Sequence, residues 1–159
     1  MEIAVSVGDR KVLKDSKDIL LLDSVGAGVG ITLLDSHIPV GGVLHYLLPR
    51  APEANRNQEE TQFMFAEWAI PAFIDEMYAL GAKKESLKCV VAGSAQLRSQ
   101  ETKVNIGKEN SDILEQILGE MGIKTAYSDL GGRAARAMKL DMRSGITYIS
   151  TLGQGEIQV

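Results

Sequence analysis

The sequence predicts a single α+β domain in which mixed β-sheets pack against two main helices. Three observations carry this reading. Residues 1–50 hold short apolar runs parted by turn residues. After residue 57, two longer stretches repeat apolar residues at three- and four-residue steps. Near the end of the chain, 136–151 alternates, turns and returns as a hairpin. Strands, a helix, a strand, a helix and a hairpin, in that order, favour an α+β domain over a doubly wound parallel sheet.

The first strand is expected over 2–7, ending at Gly8-Asp9, and the second over 19–22, after Asp15-Ser16. Two more follow over 29–34 and 40–48, ending at Asp35-Ser36 and Pro49. These runs are continuous rather than alternating, as in strands covered on both faces. Residues 50–58 read as a polar loop. Asn57, three residues before Glu60, resembles a capping box opening a helix. The apolar face of that helix runs through Phe63, Ala66, Ile70, Phe73, Ile74, Met77 and Leu80 to a stop at Gly81. Pro71 removes a helical hydrogen bond inside this pattern, so a kink or break is expected there. Residues 88–92 read as a buried strand leading into Gly93-Ser94. A second helix is expected after Asn110-Ser111, with Ile113, Leu114, Ile117, Leu118 and Met121 on one face and Gly122 behind it. A short strand over 124–127 precedes the hairpin, whose arms are 136–142 and 146–151.

The totals fit one domain. A chain of 159 residues removes roughly 70% of its unfolded surface from water and needs neither a disulfide nor a metal staple. Its net charge is −4, and no stretch clusters Lys and Arg densely, which argues against a nucleic-acid partner. The single cysteine, Cys89, excludes an internal disulfide and fits a reducing compartment. The first residues carry an acid, Glu2, and no basic segment, so they do not read as a signal peptide. The longest apolar run, 40–48, falls far short of the roughly 20 residues of a membrane span. Together these features point to a soluble cytoplasmic protein.

Local chemistry is sparse. Gly26-Ala27-Gly28-Val29-Gly30 has the glycines of a phosphate loop, but a strand-like run follows where a helix is needed, so a tight turn or close backbone approach fits better. His45 lies in an apolar strand and His37 in a polar turn. Two histidines and one cysteine without paired spacing make no metal site, and no cofactor motif is present.

Four segments, in order along the chain, resemble the CheD family of chemotaxis proteins. Residues 40–49 place His45 after a glycine pair and four residues before Pro49. Val91-Ala92-Gly93-Ser94-Ala95 is similar to the family's glycine-rich stretch, and Val104-Asn105-Ile106-Gly107-Lys108-Glu109-Asn110 to its Asn-Ile-Gly-x-x-Asn motif. Asp129-Leu130-Gly131-Gly132, with Arg136 four beyond, resembles its Gly-Gly turn followed by arginine.

The resemblance implies a fold like the CheD proteins and the catalytic domain of the deamidating cytotoxic necrotizing factors. It also implies glutamine deamidation on chemoreceptors and binding to a CheC-type phosphatase. In that chemistry a cysteine thiolate attacks the carboxamide, a histidine protonates the departing ammonia, and water opens the thioester. By the resemblance His45 is the histidine. Gly26, Gly93, Ser94, Gly131 and Gly132 line the site, where backbone N–H groups meet the oxyanion.

The chain departs from the pattern at the nucleophile. The family's cysteine comes about seventeen residues before the histidine, and that position is Gly28, which has no side chain. A family threonine six residues earlier corresponds to Leu22, Ala27 replaces a serine, and the family's Gly-Asn-Arg becomes Gly132-Arg133-Ala134. Cys89 is the only alternative thiol, and Lys88-Cys89-Val90-Val91 reads as a core strand where cysteine is inert packing. Ser24 and Ser94 fit turn positions better than nucleophiles.

Three functional readings stand. The first is a non-catalytic CheD-like module binding a chemoreceptor or a CheC-type partner. The second is an active deamidase with another nucleophile, and the third is an unrelated α+β binding domain. The first expects His45 and Gly28 to share a neighbourhood with the Gly93 and Gly131 turns. If only the thiol is missing, Gly28→Cys restores some activity, provided the backbone there accepts a side chain.

Overall fold

The computed structural model describes residues 1–54, 57–96 and 105–159. Among these residues, ten strands form two five-stranded sheets. The first sheet has the order β1-β3-β8-β9-β10, from Glu2–Ala4, Ile19–Val25, Arg136–Asp141, Thr147–Thr151 and Gly155–Gln158. The second has the order β2-β5-β4-β6-β7, from Asp9–Lys14, Val40–Tyr46, Val29–Asp35, Leu87–Gly93 and Thr125–Leu130. A short helix α1 (Gln58–Thr61) and two longer ones, α2 (Ala66–Ala79) and α3 (Ile106–Met121), complete the domain.

The layers follow from the side-chain alternation of β4, β5 and β6. Val29, Ile31, Leu33, Leu44, Tyr46, Cys89 and Val91 project to one face and pack on Ile70, Phe73 and Ile74 of α2 and Ile113, Leu114 and Ile117 of α3. The residues between them, including Val43, Val90 and Ala92, project to the other face and meet Leu20, Leu22, Met138 and Leu140 of the first sheet. The second sheet is therefore covered on both sides, which is why its sequence runs are continuous. Fully burying a Leu, Ile, Phe or Met side chain stabilises by about 1.5–3 kcal/mol, and each face of this sheet buries several.

This is the α+β architecture expected, with local differences. Residues 2–7 form a strand only over Glu2–Ala4, whereas Asp9–Lys14, where no strand was expected, is an edge strand pairing β5. The helix expected from Asn57 to Gly81 is interrupted before Pro71 rather than at it. Residues Gln62–Met64 tighten to a 3₁₀ turn and Phe65 is extended, because Phe65 bridges Leu48 and the Ala66 N–H donates to the Leu48 carbonyl at 2.9 Å. Helix α2 then runs through Pro71. Asn57 stands at the N-cap of α1, but its side chain caps nothing, so the capping box does not form. Helix α3 starts earlier than expected. Asn105 caps it by accepting from the Lys108 N–H at 3.0 Å, and Gly122 ends it in the left-handed conformation. Val104 and part of the 50–58 loop lie outside the described residues.

Candidate functional site

Three glycine-bearing turns meet at one end of the second sheet. The turn at Gly26–Gly28 links β3 to β4, Gly93-Ser94 leaves β6, and Gly131-Gly132 leaves β7. Backbone hydrogen bonds lace them together. Ser94 N–H donates to the Gly28 carbonyl at 2.7 Å and Ala95 N–H to that of Gly26 at 3.0 Å. Gly131 N–H donates to the Gly93 carbonyl at 2.9 Å and also to Ser94 Oγ at 3.0 Å. Gln96 N–H reaches the Gly132 carbonyl at 2.8 Å.

The turns need glycine at particular places. Gly93 has φ +125, which side chains rarely adopt, and a Cβ there would run into the Gly28 carbonyl oxygen. Ser94 holds φ 51 without being glycine. Such backbone strain persists only where the surroundings impose it, and it concentrates at functional sites.

His45 lies on the inter-sheet face, in the row Asp9, His45, Gly30, Ala92 across β2, β5, β4 and β6. Gly30 opposite it leaves no room for a side chain. A Cβ there would stand 2.5 Å from Met138 Sδ and 2.8 Å from Leu22 Cδ1, so the first sheet fills the space. The histidine is 5% exposed and its ring makes no hydrogen bond among the described residues. Burial in these apolar surroundings pushes its pKa down to about 4, so the ring is neutral near pH 7. Leu22, where the resemblance places a threonine, is fully buried against Gly30 and offers no polar group.

Gly28 lies one step past the last β4–β5 pair, Val29 with Tyr46. Its backbone approaches β5 so closely that a Cβ would run into the Tyr46 carbonyl oxygen and stand 3.2 Å from Leu47 Cα. Cys89 is fully buried among the α2 and α3 side chains, on the face of the sheet opposite His45. Burial raises its thiol pKa to about 12.

Two polar residues within the quoted motifs also hold the site, though the sequence reading gave them no role there. Arg136 is 6% exposed and reaches from the first sheet to the turns. Its Nη1 donates to the carbonyls of Gly93 at 3.0 Å and Gly131 at 2.6 Å, and Nη2 pairs with Asp129 at 3.0 Å. Asn110 is wholly buried on α3 and donates to the Ala27 and Leu47 carbonyls. Phase would have revealed both. Arg136 shares the buried phase of β8 with Met138 and Leu140, and Asn110 shares the apolar stripe of Ile113, Leu114 and Ile117.

Beside the turns opens a polar cleft of about 460 Å³ lined by Ser94, Gln96, Asn105, Lys108, Gly131 and Gly132. Hydroxyl, carboxamide and backbone groups dominate it, which suits a polar ligand. Among the described residues, no cluster of His, Cys, Asp and Glu is arranged to hold a metal ion, and no helix is long and apolar enough to cross a membrane.

The family described as CheD chemotactic sensory transduction matches residues 47–151. The chain is 36% identical over 155 residues to a probable chemoreceptor glutamine deamidase CheD of Desulforamulus reducens, covering 96% of this chain and 92% of that protein. It is 32% identical to the like-named protein of Clostridium novyi (97% and 95% covered) and 29% identical to that of Solibacter usitatus (96% and 90% covered).

Proposed function

Because the chain belongs to the CheD family, we propose that it works in chemotaxis signalling by binding, docking on a chemoreceptor or a CheC-type phosphatase without deamidating it. The observation that carries this reading is at Gly28. The position that the resemblance gives to the nucleophile has no side chain, and the Tyr46 carbonyl occupies the space a Cβ would need.

Three further features support it. Cys89, the only thiol of the chain, faces the helices rather than His45 and is held protonated by burial. His45 has the low pKa of a largely buried imidazole and no hydrogen-bond partner among the described residues to orient it. Leu22 supplies no hydroxyl. Acyl transfer needs an activated nucleophile within hydrogen-bond reach of a base, a pairing that neither Gly28 nor Cys89 offers to His45. The gathered turns remain, and a fold kept without its chemistry still offers its surface to the same partners.

The test is direct. The purified protein, incubated with receptor fragments carrying the target glutamines, is expected to release no ammonia above a buffer control. Mass spectrometry of the fragments should show no conversion of glutamine to glutamate, while a pull-down retains the receptor or the phosphatase. Deamidation by the parent that disappears in Cys89→Ala would sink the binding reading and favour an active deamidase.

A further inference from the structure

The β4–β5 ladder ends at Val29–Tyr46, yet the chain segments beyond it do not splay apart. A single side chain continues the link. Asn110 Nδ2 donates to the Ala27 carbonyl at 2.9 Å and to the Leu47 carbonyl at 2.8 Å, one on each side of the gap. The Tyr46 hydroxyl donates to the Asn110 carbonyl at 2.8 Å, tying the same turn of α3 to β5. Asn110 is 0% exposed, and its Oδ1 has no partner among the described residues.

An unpartnered buried carbonyl costs about 1–3 kcal/mol, so Asn110 bears that cost at its own Oδ1 while sparing it at Ala27 and Leu47. What the carboxamide supplies is a pair of N–H donors directed at two carbonyls on opposite sides of the gap. Gly28 and Leu47 lie just past the ends of β4 and β5, two residues along the chain from the paired Gly30 and His45.

We propose that Asn110 is a positioning residue of this site: it sets the distance between the Gly26–Gly28 turn and the end of β5 and thereby limits how far solvent reaches the His45 imidazole. The proposal rests on the reading that His45 and this turn form the family's site. It concerns how that site is closed, whether or not the protein deamidates.

Ring titration of His45, followed by NMR on the full chain, tests it. Asn110→Leu keeps the volume and removes the donors, and Asn110→Ala removes both. In either variant the His45 midpoint is expected to rise from near 4 by about one unit or more, as more water reaches the ring. Ile117→Ala, a core change on the same helix, should leave His45 at the parent value. Equal shifts in Ile117→Ala and the Asn110 variants, or no shift in the Asn110 variants, would overturn the assignment.

If neither Asn110 variant folds, the parent protein decides. Its Asn110 carboxamide protons should exchange with solvent far more slowly than those of Asn105, and equal rates would overturn the proposal. Ammonia release by the parent speaks against the binding reading alone and leaves these measurements as they stand.

Discussion

The buried histidine makes the molecule sensitive to acid in a way that can be computed in sign. The unfolded chain binds a proton at His45 near the ordinary pKa of 6.5, and the folded chain only near 4. Its contribution to stability is therefore present above 6.5 and lost as pH falls toward 4. The loss amounts to about 2 kcal/mol by pH 5 and about 3 kcal/mol at pH 4. Denaturant unfolding at pH 7 and pH 5 checks this, and His45→Gln should flatten the dependence by that amount. At Gly28 the outlook differs from the one the sequence alone suggested. A Cβ there meets backbone rather than a flexible side-chain end, so Gly28→Ala and Gly28→Cys should each lower stability by about 1–3 kcal/mol. Gly28→Cys is accordingly expected to restore no deamidation. A folded Gly28→Cys protein that releases ammonia in a His45-dependent manner would show that the turn yields after all.

Among the elements, the turns depend on an arginine from the other sheet. Arg136→Ala removes the side-chain donor from the Gly131 carbonyl and the cation beside Asp129, and leaves the Gly93 carbonyl with the Gly131 N–H alone; it should cost about 1–3 kcal/mol. Amide exchange should quicken first at Gly93 and Gly131, and uniform quickening across both sheets would contradict that role. Elements were legible in the sequence where burial wrote a simple period. The continuous runs of β4, β5 and β6 and the stripe of α3 are of this kind. Asp9–Lys14 was missed because an edge strand with four charged residues in six carries no apolar run. Its pairing to β5 comes from the partner, not from its own pattern. The break before α2 was misplaced at Pro71 because the sequence advertises the proline and hides the Leu48–Phe65 bridge that pulls the chain out of helix. Asn110 and Arg136 carried a usable signal, a polar residue in an apolar phase, but only the fold shows which carbonyls they hold.

For the molecule as a whole, the binding reading expects recognition at side chains around the turns and over residues 50–60, whose Arg50 lines a cleft of about 380 Å³ with Pro49, Glu109, Asp112, Ile113 and Gln116. Reversing Glu53, Glu59 and Glu60 to lysine, singly or together, should weaken binding to a receptor fragment or a CheC-type protein several-fold and leave the melting temperature unchanged. Unchanged affinity across the set would move the interface elsewhere. The opposed placement of Cys89 and His45 also bears on descent. Side chains along a strand alternate in face, so no movement of the backbone short of a one-residue slip brings position 89 to the histidine. On β6 the neighbours at 90 and 92 already share its face but lie beneath the first sheet, where no receptor glutamine can follow. Gly26 and Ala27, by contrast, are half-buried in the turn that meets the Gly93 and Gly131 turns. On the binding reading, a thiol engineered to act with His45 would have to come from that turn, and only after its backbone had moved away from β5.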